Sequence, residues 1–246
     1  MIGAGLLGIA QLHWIDKPAD RAVSAGGLSG RDESYPGFFG GDLGWGVMID
    51  VRFFELIGVE IDVLKQTDRG SGTIEVKGGG IPCIIRNNGG STTTPAQVYD
   101  LTIGQPAWHV PVMAKLSIPT SRDTRKTDRE EVEYILGWTT LAFGPEIVFP
   151  GDASLDVSPP GLAYPLRATA STYLMYTAAL GFERRLTSSF DLRVLGTLRG
   201  SYNPGPGSSA SGRAHYDAIG ATLQPIEYVS EWRYQAGATL GLGVYF

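Results

Sequence analysis

Twelve charged residues in this chain each sit beside an apolar or aromatic neighbour: Asp50, Arg52, Glu60, Asp62, Lys115, Glu146, Glu183, Arg185, Arg193, Arg199, Glu231 and Arg233. Six are acids and six are bases. Balanced charges alternating with apolar residues suit ion pairing inside a protein, where a lone charge would be very costly. The other chemistry-bearing residues are sparse. His13, His109 and His215 are the three histidines, and no Ser/His/acid set is placed by their spacing. Cys83 stands alone, which excludes an intrachain disulfide and a thiolate cluster. "KGGGIP" lacks the lysine–serine pair and the strand-to-helix setting of a phosphate loop. "DRGSG" and "NPGPG" read as turns. No metal-ligand cluster appears. The residues therefore predict no enzyme, no cofactor and no metal.

The elements that must position these charges have a period of two. "LGWGVMIDVRFF" sets Leu43, Trp45, Val47, Ile49, Val51 and Phe53 on one face, with Met48, Asp50 and Arg52 on the other. The same alternation opens the chain, where Ile2, Ala4, Leu6, Ala10, Leu12 and Trp14 oppose Gln11 and His13. "VEIDVLK" and "WHVPVMAKLSI" place Glu60, Asp62, His109 and Lys115 on the polar face. "YILGWTTLAFGPEIVF" is apolar on both faces; with Glu146 inward, Leu141, Phe143, Ile147 and Phe149 point outward. "TYLMYTAALGFER" and "LRVLGTLRGSY" contribute Glu183, Arg185, Arg193 and Arg199, and a last strand from about Tyr228 contributes Glu231 and Arg233. That makes eight strands, joined by long connections (15–42, 66–106, 150–170, 203–226) alternating with tight ones at 55–57 and "LTSSFD". A charged stretch, "PTSRDTRKTDREEVE" (119–133), breaks the rule; it reads as a solvated turn, or as a short helix with i,i+4 charge pairs.

The apolar face could line a ligand cavity, as in a soluble lipocalin-like barrel, or meet lipid around a polar interior. Most runs reach the ~9–11 residues of a lipid-spanning strand. Aromatic residues flank the apolar face near the span ends: Trp14, Trp45, Phe53, Trp108, Phe149, Phe182, Tyr202, Tyr234 and Phe246, matching the preference of amphipathic rings for the membrane interface. Charged residues make up 18% of the chain, below the ~25% of average soluble domains. The net charge of −5 argues against nucleic acid as a partner. The expected fold is all-β: one domain (1–246) forming an eight-stranded antiparallel up-and-down transmembrane β-barrel.

The closing stretch "YQAGATLGLGVYF" resembles the C-terminal assembly signal of bacterial outer-membrane proteins, with Ala238, Leu240, Leu242 and Val244 at alternate positions before terminal Phe246. "WHVPVMAKLSI" followed by "YILGWTTLAFGPEIVF" is similar to paired strands of the PorT-like outer-membrane β-barrel domain family, and the strand count resembles small barrels of the OmpA/OmpX type. No H-x-S pattern of the barrel lipid A deacylases is present. The resemblance implies outer-membrane location, lipid as the surrounding partner, and reading of the last strand by the β-barrel assembly machinery. It also implies periplasmic termini and long extracellular loops. A leader is expected in that family, yet "MIGAGLLGIA" reads as a strand rather than a signal peptide. The expected function is a non-enzymatic barrel whose loops contact envelope proteins or a second copy; a narrow solute channel and a soluble ligand binder are the alternatives.

Overall fold

Alternation of polar and apolar side chains is satisfied by extended backbone, and the chain forms eight long strands. A computed structural model describes residues 1–15, 23–25, 28–30, 38–54, 56–76, 97–126, 131–152, 154–158, 166–169, 172–187, 190–204, 213–214, 226–229 and 233–246. The long strands are β1 (Ile2–Ile15), β2 (Phe38–Phe53), β3 (Ile57–Val76), β4 (Gln97–Lys126), β5 (Glu131–Pro150), β6 (Tyr173–Arg185), β7 (Asp191–Tyr202) and β8 (Tyr234–Tyr245). Each pairs antiparallel with the next. β8 then returns to β1 in a register running from Gly3 opposite Tyr245 to Trp14 opposite Tyr234. The sheet is a closed eight-stranded barrel, with no free edge along the spanning part of the wall.

Closure joins the two chain ends. Ile2 N donates to Phe246 O at 3.0 Å, and Phe246 N donates to Ile2 O at 2.8 Å. One close approach requires glycine: a Cβ on Gly144 would meet the Val112 carbonyl oxygen at 2.0 Å, where β4 and β5 pass. The tight turn from β2 to β3 places Phe54 at φ 54°, in the left-handed region.

The apolar face points outward. Leu6, Leu43, Ile49, Phe143, Leu180, Leu198 and Leu240 are exposed, Leu43 by 75% and Phe143 by 70%, while the polar face is buried inside. That arrangement overturns the ligand-binding alternative, which needs an apolar lumen.

Four expectations are corrected. The last barrel strand begins at Tyr234; Ile226–Val229 instead pairs in parallel with Leu166–Thr169, in a small sheet outside the barrel wall. The described residues of the charged 119–133 stretch are strand rather than helix or turn: β4 runs on to Lys126 and pairs with β5 as far as Lys126 opposite Glu131, while 127–130 lie outside the described residues. Register shifts around Ser121 bend this ribbon. The third connection likewise contracts to 77–96, because β3 and β4 stay paired up to Val76 opposite Gln97. The fifth connection carries Ser154–Ser158, which pairs with β4 over Asp100–Gly104.

Candidate functional site

Eight strands enclose a lumen just wide enough for side chains to fill, and here charges and their partners fill it in two layers. The first lies towards the end that holds both termini. Glu183 on β6 accepts from three cations: Arg52, Lys115 at 2.8 Å and Arg193 at 3.0 Å. Arg52 also bonds Asp50 two residues earlier on β2, with Nε at 2.8 Å, and donates to Tyr245 Oη at 3.1 Å. Lys115 reaches Asp50 at 3.0 Å and also contacts Glu60. Five strands (β2, β3, β4, β6 and β7) thus meet through one ion network, which closes when the Tyr245 hydroxyl on β8 donates to Asp50 at 3.2 Å.

Arg193 is held three ways at once. Its guanidinium lies 3.8 Å from the Trp138 ring centroid and 4.0 Å from that of Tyr245, and it pairs with Asp191 at 2.5 Å. Stacking between two aromatic faces replaces lost hydration without demanding further acceptors. Arg185 pairs with the same Asp191 closer to the rim, with its side chain partly exposed. Four acids (Asp50, Glu60, Glu183, Asp191) therefore face four bases (Arg52, Lys115, Arg185, Arg193). Such a set offsets its desolvation cost only when every member keeps a partner.

The second layer lies towards the long connections. Glu146 on β5 and Asp68 on β3 flank His109 on β4: Nδ1 is 2.7 Å from Glu146 Oε1, and Nε2 is 3.3 Å from Asp68 Oδ1. His13 Nδ1 approaches that same Asp68 oxygen at 3.3 Å. The hydroxyls of Thr177 and Ser201, 2.7 Å apart, share Glu146 Oε2. Between the layers, Arg199 pairs with Asp62 at 3.0 Å.

This upper layer contains what sequence spacing did not supply, an orienting partner for each barrel histidine. Asp68 was the missing residue. Its signal was present, since Leu64, Gln66 and Asp68 continue the inward period of Glu60 and Asp62, but "DRGSG" reads as a turn and hid it. Both hydroxyls face the carboxylate on the side away from the imidazole, and His13, Asp68 and His109 are fully buried. A cavity between the layers, lined by Asp62, Lys115, Glu183 and Arg199 among others, holds about 10 Å³, room for roughly one water.

Ten of the twelve sequence-selected charges lie in these layers or, as Asp62 and Arg199 do, between them. Glu231 falls outside the described residues. Arg233 is half-buried at the rim, with its guanidinium 5.9 Å and 5.7 Å from the Tyr202 and Tyr234 ring centroids. The aromatic residues form two outer clusters. Trp14 stacks on Tyr234 at 5.3 Å, and Tyr234 packs against Tyr202 at 5.2 Å. Trp45 meets Trp108 edge to face at 6.2 Å, with Phe149 opposite Trp108 in register. Ala238, Leu240, Leu242, Val244 and Phe246 share the outer face of β8, beside β1.

No family model matches the chain, and no curated protein matches it, so neither the PorT-like nor the OmpA/OmpX resemblance gains support from that direction. Solved structures are similar to the chain, two of them as follows. One is the crystal structure of the outer membrane protein OprG from Pseudomonas aeruginosa, at 13% identity and TM-score 0.38, over 100% of this chain and 95% of that one. The other is the crystal structure of a Pseudomonas aeruginosa FadL homologue, at 8% identity and TM-score 0.27, over 99% of this chain and 89% of that one.

Proposed function

We infer that this chain is an outer-membrane protein whose barrel is a sealed, non-enzymatic anchor for its long connections. The observation that carries the reading is the lumen itself, crossed by two layers of mutually bonded side chains with space for about one water between them. A continuous outward apolar band supports insertion in lipid, and closure leaves no backbone edge for the bilayer to satisfy. On this reading both termini are periplasmic. The outer face of β8, from Ala238 to Phe246, serves as the segment recognised by the assembly machinery. The small sheets formed by Val23–Ala25 with Leu28–Gly30 and by Leu166–Thr169 with Ile226–Val229 stand on the partner-binding side.

The test is conductance of the purified chain in planar bilayers, together with SDS-gel mobility before and after boiling. The expected result is a boiling-dependent mobility shift with conductance at the bare-membrane level. Stepwise single-channel currents that respond to substitution of Glu183 or Arg193 would overturn the sealed-anchor reading in favour of a channel. A detergent-free soluble monomer with no shift would overturn the membrane reading altogether.

A further inference from the structure

Among the described residues of the spanning wall, outward charge is scarce, and on β3 it starts at a definite depth. Ile57, Val59, Ile61 and Val63 take the outward positions from the terminus-bearing end, and the next is Lys65, which is exposed. From Ile57 to Lys65 the strand climbs about 20 Å if it is tilted by ~40°. The apolar band of a membrane barrel is about 25 Å tall. Lys65 therefore stands where that band gives way to headgroups, on the side of the long connections.

Its neighbours in register are both tryptophans, Trp45 on β2 and Trp108 on β4, whose rings meet edge to face at 6.2 Å. Lys65 Nζ lies 5.3 Å from the Trp108 ring centroid. That contact attracts the ammonium but supplies no hydrogen-bond acceptor, and among the described residues no carboxylate pairs with it. Four residues on, the outward Arg69 pairs with Asp42 through Nε at 3.2 Å while its side chain stays 60% exposed. The pair crosses a break in the wall, where the β2–β3 register passes from Trp45 opposite Lys65 directly to Phe39 opposite Ser71. Asp42 thereby steadies the guanidinium and leaves its terminal amino groups accessible. The two cations stand ~13 Å apart along the backbone, a gap that two long side chains close on an anion of phosphate size. Only the short Thr67 lies between them on that face.

We propose that Lys65, Thr67 and Arg69 bind the phosphate monoester of a lipid in the leaflet on the long-connection side, its chains lying on the apolar wall below Trp45 and Trp108. The inference rests on the membrane reading above. Apolar strand face, paired indoles and then two cations follow the order of chain, interface and headgroup along a lipid. A monoester carries close to two negative charges, which matches two cations. Ammonium and guanidinium both make charge-assisted hydrogen bonds to phosphate oxygens. A second copy pressing its apolar band here would bring Lys65 no anion, because Asp50, Glu60, Asp62, Asp68, Glu146 and Glu183 are all buried inside the barrel.

The experiment is native mass spectrometry of the full chain released from nanodiscs of equimolar phosphatidic acid, phosphatidylglycerol and phosphatidylcholine. The wild type is expected to retain one phosphatidic acid in preference to the other two. Lys65→Gln should lower that preference about tenfold, the scale of a lost charge-assisted hydrogen bond, and Arg69→Gln should lower it in the same direction. Arg184→Gln is the control, since Arg184 is an exposed outward cation at the opposite end of the wall, between Gly137 and Val194 in register; it should change nothing. Every variant must keep the boiling-dependent gel shift, which separates failure of this site from failure of the barrel. Phosphatidic acid held no more strongly than the other lipids, a preference unchanged by Lys65→Gln, or an equal loss in Arg184→Gln would overturn the proposal. A doubled mass that Lys65→Gln disrupts would overturn it in favour of a dimer interface.

Discussion

Glu183 shows how a charge becomes tolerable inside a barrel. It accepts from Arg52, Lys115 and Arg193 on three other strands, so its removal leaves three buried cations short of an acceptor. Glu183→Gln should destabilise the barrel by about 3–5 kcal/mol, read as a lower midpoint for the boiling-dependent mobility shift. Replacing Asp62 and Arg199 together by leucine and methionine should cost much less, because it removes both halves of one pair; a double-mutant cycle would separate the two cases. Gly144→Ala probes packing rather than charge. Its Cβ would sit 2.0 Å from the Val112 carbonyl oxygen, so a loss of about 1–3 kcal/mol is expected, measured by the same midpoint.

At the scale of strands, the outer face of β8 and the ribbon beyond the barrel behave differently. Leu240 is 65% exposed midway along β8. Leu240→Arg should therefore cost about 2–4 kcal/mol if that face meets lipid, against little at a water-facing site; urea unfolding in liposomes distinguishes the two. The ribbon from Pro119 to Lys126 pairs with β5, but the β3–β4 pairing ends at Ile57 opposite Leu116 and the β5–β6 pairing ends at Gly137 opposite Arg184. Replacing residues 122–134 by an Asn-Gly turn should then leave the gel shift intact. Loss of the shift would mean that the ribbon is part of the folding unit. The sequence reading stopped β4 at Ile118 because charge and proline usually signal a loop. Cross-strand partners on β5 supplied the hydrogen bonds that local composition does not encode.

Over the whole molecule, closure decides both stability and function. The lower ion network is completed from the last strand, where the Tyr245 hydroxyl donates to Asp50 and accepts from Arg52 on the second. Cutting back the last three residues should thus do more than remove an assembly signal. It should open the lower ion network and abolish the boiling-dependent shift even for protein refolded in detergent, where no assembly machinery acts. A truncated chain that refolds with the wild-type midpoint would show that the C-terminal residues matter for delivery alone.

Strand number, the sidedness of each strand and the residues turned to each face were determined by the sequence alone, because period-two alternation is a local property that one wrong register would invert along a whole strand. Glu60, Lys115, Glu146 and Arg193 could therefore be assigned inward before any partner was known. The partners themselves were decided only by the closed barrel. Asp68 and Glu146 reach His109 from strands 41 and 37 residues away along the chain. The physical reason is that alternation states which way a side chain points, whereas contact across a lumen or along a wall depends on the stagger between strands, which the closing of the cylinder sets.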